Sequence, residues 1–75
     1  MKWTEMAEIL KGVDEDPESI RWMILGYCKA ILLKGAPTAQ VTRRAVIVME
    51  EFREAFYETK GAGLVLACFN AMHAE

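Results

Sequence analysis

One stretch constrains this chain more than any other. Between Asp16-Pro17 and Gly35 the residues PESIRWMILGYCKAILLK read as a single helix that is apolar on two sides. Ile20, Met23, Ile24, Tyr27 and Ile31 recur at helical spacing along one side, and Trp22, Leu25, Leu32 and Leu33 along another. A helix with two apolar sides has to be covered on both. It is therefore either the centre of a bundle or an element shared between subunits. Gly26 sits in its middle, where glycine costs about 1 kcal/mol relative to alanine. With Ala30 one turn further on, it leaves a shallow groove that a neighbouring helix could approach closely.

The punctuation around this helix sets the rest of the architecture. Asp16 suits an N-cap, Pro17 the first helical position and Glu18 the first turn. Gly35 ends the helix and Pro37 prevents its continuation. A short helix precedes it, from about Trp3 to Lys11, stopped by Gly12 and followed by the linker VDEDP. Thr38 caps a third helix expected from about Ala39 to Thr59. On it Val41, Ala45, Val48, Met49, Phe52 and Phe56 form an apolar stripe. Arg43, Glu50, Arg53 and Glu54 take the other side, with Ile47 near that polar side. Gly61 to Gly63 form a joint, with Gly61 expected as a left-handed cap, and a fourth helix runs from about Leu64 to Met72. The tail HAE is expected to fray. No stretch alternates with period two, so the expected fold is all-α: a compact bundle of about four helices, one short N-terminal, two long central and one short C-terminal.

A chain of 75 residues makes one domain. A domain of that size buries only about 60% of its unfolded surface. Yet 53% of its residues are hydrophobic, above the usual share of about 45–50%. That excess points to a covering partner. The net charge of −2 gives no general drive toward nucleic acid, but the charge is unevenly placed. Residues 1–20 sum to −4 and residues 21–44, with no acid among them, to +5. An acidic end and a basic middle can be complementary within the fold or between subunits. The start MKWTEMAEIL lacks the apolar run of a signal peptide, and WMILGYCKAILL is about half the length of a membrane span. Two cysteines forty positions apart make no disulfide framework. The expected setting is reduced, cytoplasmic and soluble.

Little in the sequence carries chemistry. The Gly61-Ala62-Gly63 step could cradle a phosphate only if a strand preceded it and donors converged on the anion. No strand does, so it reads as a joint between helices. Cys28, Cys68 and His73 are the soft metal ligands, but they lack the paired spacing of a zinc site, and the cysteines fall on apolar helical faces. A cysteine nucleophile would have only His73 as its base. Glu5, Glu8, Glu50, Glu51 and Glu54 read as solvated helix faces. The expectation is therefore no catalytic residue, no cofactor and no metal. KGAPTAQVTRRAV (Lys34 to Val46) is the strongest chemical alternative. Helix, short turn and helix resemble a helix-turn-helix, with Gln40, Thr42, Arg43 and Arg44 at base-reading positions. Acids of the first segment could equally pair with those arginines. Trp22, Tyr27, Phe52, Phe56, Tyr57 and Phe69 are core residues by default, but Trp22 and Tyr57 lie furthest from the main stripes, and Trp and Tyr are frequent at interface hot spots.

Two stretches carry a family resemblance. DPESIRWMILGYCKAILLKG, followed by RRAVIVMEEFREAFYETKGAGLVLACFNAM, resembles the C-terminal helical domain of clamp-loader-type AAA+ ATPases, the replication factor C and DNA polymerase III clamp-loader subunits, of bacterial or phage origin. The likeness spans about Asp16 to Met72. It rests on packing motifs: Asp-Pro-Glu opening a helix, a small residue within it, and Phe-Tyr before a glycine turn and GLVLAC. In that family these helices form a collar joining subunits into a ring. The resemblance thus implies protein–protein assembly in DNA replication, with other copies or clamp-loader-like ATPase subunits as partners. The family's phosphate loop, acidic metal motif and sensor arginines have no counterpart here, so no ATPase activity is carried over. The subunit contacts expected are Trp22, Leu25, Lys29 and Leu32 on helix two, with Ile47 and Tyr57 on helix three. Gln40, Arg43 and Arg44 are the contacts of the DNA-binding alternative. A free-standing helical adaptor is the other reading.

Overall fold

The computed structural model describes residues 2–35 and 38–74. Four helices account for it: α1 (Trp3–Lys11), α2 (Pro17–Lys34), α3 (Ala39–Glu51) and α4 (Gly61–His73). The all-α reading holds, and α1 and α2 occupy the spans their punctuation predicts. Pro17 stands at the start of α2, whose first turn closes when Ile20 N–H donates to the Asp16 carbonyl; the Asp16 side chain makes no cap bond. Gly35, at φ 83°, turns the chain out of α2. Thr38 caps α3 as expected, its Oγ1 accepting from Val41 N at 3.1 Å. Pro37 lies outside the described residues.

The α2–α3 pair forms one layer of the fold, and α4 packs on both members, with α1 against α4. The core gathers around Phe52, which is only 2% exposed, with Phe56, Leu64, Ala67 and Cys68. Trp3, Met6 and Leu10 of α1, Ile20, Ile24 and Leu25 of α2, and Val48 of α3 close around them. This cluster uses the N-terminal half of α2.

Helix α3 stops at Glu51, not at Thr59. The cause is a buried ion pair on α2. Arg21 donates from Nε and Nη2 to the two carboxylate oxygens of Glu18, at 2.7 and 2.9 Å. Its Nη1 reaches across to the carbonyls of Phe52, at 3.1 Å, and Arg53, at 3.2 Å. Glu18 Oε1 in turn accepts the N–H of Phe56. In a continuing helix Phe56 N–H would donate to the Phe52 carbonyl. Here the pair takes both groups, one with each member, and the chain leaves the helix with its polar groups satisfied. Residues 52–60 become a turn that inserts Phe56 into the core.

Helix α4 begins three residues earlier than its apolar pattern suggests. The left-handed position expected of Gly61 falls on Lys60, at φ 55°. Gly61 and Gly63 lie inside the helix. Gly63 is buried, and a Cβ there would collide with the Thr59 side chain and come within 2.9 Å of the Phe56 ring. It permits close packing rather than a reversal of direction. The expected frayed end is partly wrong too: His73 belongs to α4, stacks on Phe69 at a centroid distance of 4.2 Å, and pairs through Nδ1 with the Phe69 carbonyl.

Candidate interaction surface

Helix α2 is long enough to outrun its cover. Its 18 residues span about 27 Å, against about 14 Å for α1 and about 20 Å for α4. The first half buries Ile20 and Ile24 against the core; the second half leaves Tyr27 71% and Leu33 76% exposed. Trp22 and Met23 add to this surface at 62% and 63%. The total accessible surface is 5565 Å², whereas a compact monomer of this mass exposes about 4,650 Å².

Two grooves flank α2. The first holds about 630 Å³ between α2 and α3, floored by Ile24, Cys28, Ile31, Ala45 and Val48 and edged by Tyr27. Arg44 is its one charged lining residue. The second, of about 530 Å³, lies between Trp22, Leu25 and Leu32 on α2 and Val46 and Met49 on α3. Arg21 and Arg53 border it, and the Arg21 guanidinium lies 4.9 Å from the Trp22 ring centre.

Three of the expected contacts, Trp22, Leu25 and Leu32, therefore meet at one groove, and Lys29 is exposed between them on the same helix. Leu25 divides its side chain between that groove and the core. Ile47 is elsewhere. It is half-buried in a hollow with Gln40, Arg43 and Arg44. Tyr57 projects from the turn after Phe56 and is exposed. Met23 and Tyr27, placed by sequence on one of two apolar sides that both call for cover, prove to be open surface. Their periodicity is that of a covered face, but the core gathers on Ile20, Ile24 and Leu25 of α2, and Met23 and Tyr27 are left lining the open groove between α2 and α3.

Of the residues suited to DNA, Gln40 and Arg43 are exposed. Arg44 is not free to read bases. It is half-buried and donates from Nη1 to the Ala74 carbonyl at 3.1 Å and from Nη2 to the Ala71 carbonyl at 2.7 Å. Its cation closes the negative end of α4. No acid of the first segment pairs with it among the described residues. There the ion pairs are Lys11–Glu8 and Arg21–Glu18 alone.

The remaining chemistry is sparse. Burial pushes the thiols of Cys28 and Cys68 up from their ordinary pKa, which keeps them protonated and weakly nucleophilic. Among the described residues no three His, Cys, Asp or Glu side chains cluster as metal ligands do, and no helix is long and apolar enough to cross a membrane. At the Gly61–Gly63 step, the N–H groups of Ala62 and Leu64 are already donated to the carbonyls of Thr59 and Lys60. No protein-family model, curated protein or solved structure matches the chain.

Proposed function

We propose that this domain is an assembly module that joins protein subunits through the exposed surface of α2. One observation carries the reading: the chain leaves about 900 Å² more surface open than a compact monomer of its size, and the largest exposed side chains on α2 are apolar. A standard protein interface removes about 800 Å² from each partner. Burying an aromatic such as Trp22 at its centre is the usual source of affinity. The finer identification follows the resemblance of Asp16 to Met72 to the collar domain of clamp-loader-type AAA+ ATPases. On that reading the domain holds replication ATPase subunits together and leaves nucleotide hydrolysis to other modules.

The test is the molar mass of the chain by light scattering across concentration, alone and mixed with clamp-loader ATPase subunits. A defined oligomer or complex is expected, and Trp22→Ala should dissociate it while the helical circular dichroism signal survives. A chain that stays monomeric in both settings overturns the reading. Duplex DNA added at low salt probes the helix-turn-helix alternative. Salt-sensitive binding that Arg43→Ala reduces would replace assembly with DNA recognition.

A further inference from the structure

The outer line of α2 has its own spacing. Ser19, Trp22, Gly26, Lys29 and Leu33 are all exposed and recur at alternating steps of three and four. That is the spacing of a helix–helix seam. None of them belongs to the core cluster, and a Cβ at Gly26 would meet no atom within 4 Å. Among the described residues no ion pair uses this face, and its one aromatic contact there is the Arg21 guanidinium, 4.9 Å from the Trp22 ring centre.

The charges at its two ends differ. Asp14, Glu15 and Asp16 are exposed just before α2, while Lys29 and Lys34 are exposed toward its far end. Within the described residues no ion pair uses any of them. Along α2 the acidic and basic ends stand about 27 Å apart, well beyond the screening length of about 8 Å at physiological salt. One chain cannot bring them together through this helix, but two chains can. We infer that α2 pairs antiparallel with α2 of a second copy about a two-fold axis near Gly26.

In that pairing Gly26 meets Gly26, so the helix backbones approach closely. Trp22 lies over the stem and ammonium of the partner's Lys29, a cation–π contact made twice by symmetry. The acidic residues Asp14 and Glu15 come against the partner's Lys34. The two helix dipoles run in opposite directions, which also favours the arrangement. This inference rests on the reading of the domain as an assembly module and adds the partner, the face and the symmetry.

The experiment is sedimentation equilibrium on the full chain and three variants. Wild type should form a dimer. Gly26→Leu should dissociate it with helical content unchanged, since the monomer has room for the side chain. Lys34→Glu alone, and Asp14→Lys with Glu15→Lys together, should each raise the dimer dissociation constant by at least about tenfold. Mixed one to one, these two charge variants should recover a tight heterodimer, because each now complements the other at both ends. If the mixture does not recover, or if Gly26→Leu leaves the dimer intact, the α2 pairing is wrong while assembly through another face stands. If wild type is monomeric to about 1 mM, self-pairing is wrong. The assembly reading then rests on binding to ATPase subunits alone, measured separately as above.

Discussion

Glu18 and Phe56 are joined by a hydrogen bond from backbone to side chain across 38 positions of sequence. The bond fixes where α3 ends and how the Phe56 ring enters the core. It works only because Arg21 holds the carboxylate in place and takes the Phe52 carbonyl with its other nitrogen. Two side chains in the first turn and a half of α2 thus define a break thirty residues later.

This pair makes stability pH-dependent. The Arg21 hydrogen bonds, aided by the Phe56 N–H, hold the Glu18 carboxyl below its ordinary pKa against the opposing effect of burial. A group depressed in the folded state stabilises above its unfolded pKa and loses that contribution as pH falls toward the folded value. Thermal melts should therefore show constant stability near neutrality and a decline beginning at about pH 5. Glu18→Gln should lower the melting temperature at pH 7 by more than about 8 °C and flatten the acid decline. A variant that keeps the wild-type acid slope would show that another carboxylate governs it.

The two helical glycines should respond oppositely to alanine. At Gly63 the added methyl strikes Thr59 and the Phe56 ring, so overpacking should outweigh the gain in helix propensity and cost about 1–3 kcal/mol. At Gly26 the methyl meets nothing, and the propensity gain of up to about 1 kcal/mol should appear in full in the monomer. Urea denaturation of both variants at low protein concentration checks the pair. Equal and opposite shifts are not required, but the signs are.

Arg44→Ala should act on α4. Removing its two bonds to the Ala71 and Ala74 carbonyls should destabilise the last turn by about 1–2 kcal/mol. Amide hydrogen exchange should quicken at residues 71–74 and change little in α1. Uniform quickening across the chain would mean that Arg44 supports the whole fold.

Lys60 carries a backbone conformation that L-residues seldom adopt, with φ 55° and ψ −131°. Lys60→Gly should relieve that strain and raise stability by about 1 kcal/mol, less the added freedom of the unfolded chain. A lower melting temperature for this variant would show that the Lys60 stem packs usefully.

The helix count, the caps at Thr38 and Gly35 and the extent of α2 were legible because each depends on neighbours in sequence. The end of α3 was not. Phe52 and Phe56 continue the stripe of α3 at helical spacing, so periodicity extends the helix through them. Only the approach of Glu18 and Arg21 from α2 makes leaving the helix cheaper than continuing it. Glu18 itself was legible merely as a first-turn acid. That Trp22 and Leu32 share one side of α2 was readable from the two-sided pattern; their exposure follows from the packing of the other helices. The exposure of Met23 and Tyr27 was hidden by the same pattern, and Arg44 was read as a DNA contact or the partner of a first-segment acid because its carbonyl partners lie at the far end of α4.

The crowding of the core at one end of α2 bears on how the molecule opens. Helical hydrogen bonds beyond Cys28 are backed by little buried side chain, so releasing them requires far less work than separating Phe52 from Leu64. Thermal fluctuation should therefore unwind the chain from the Lys34 end while the Phe52 end stays closed. Anything that settles on the outer half of α2 would halt that unwinding at its origin. Occupancy of the surface and rigidity of the helix would then rise together, by mass action.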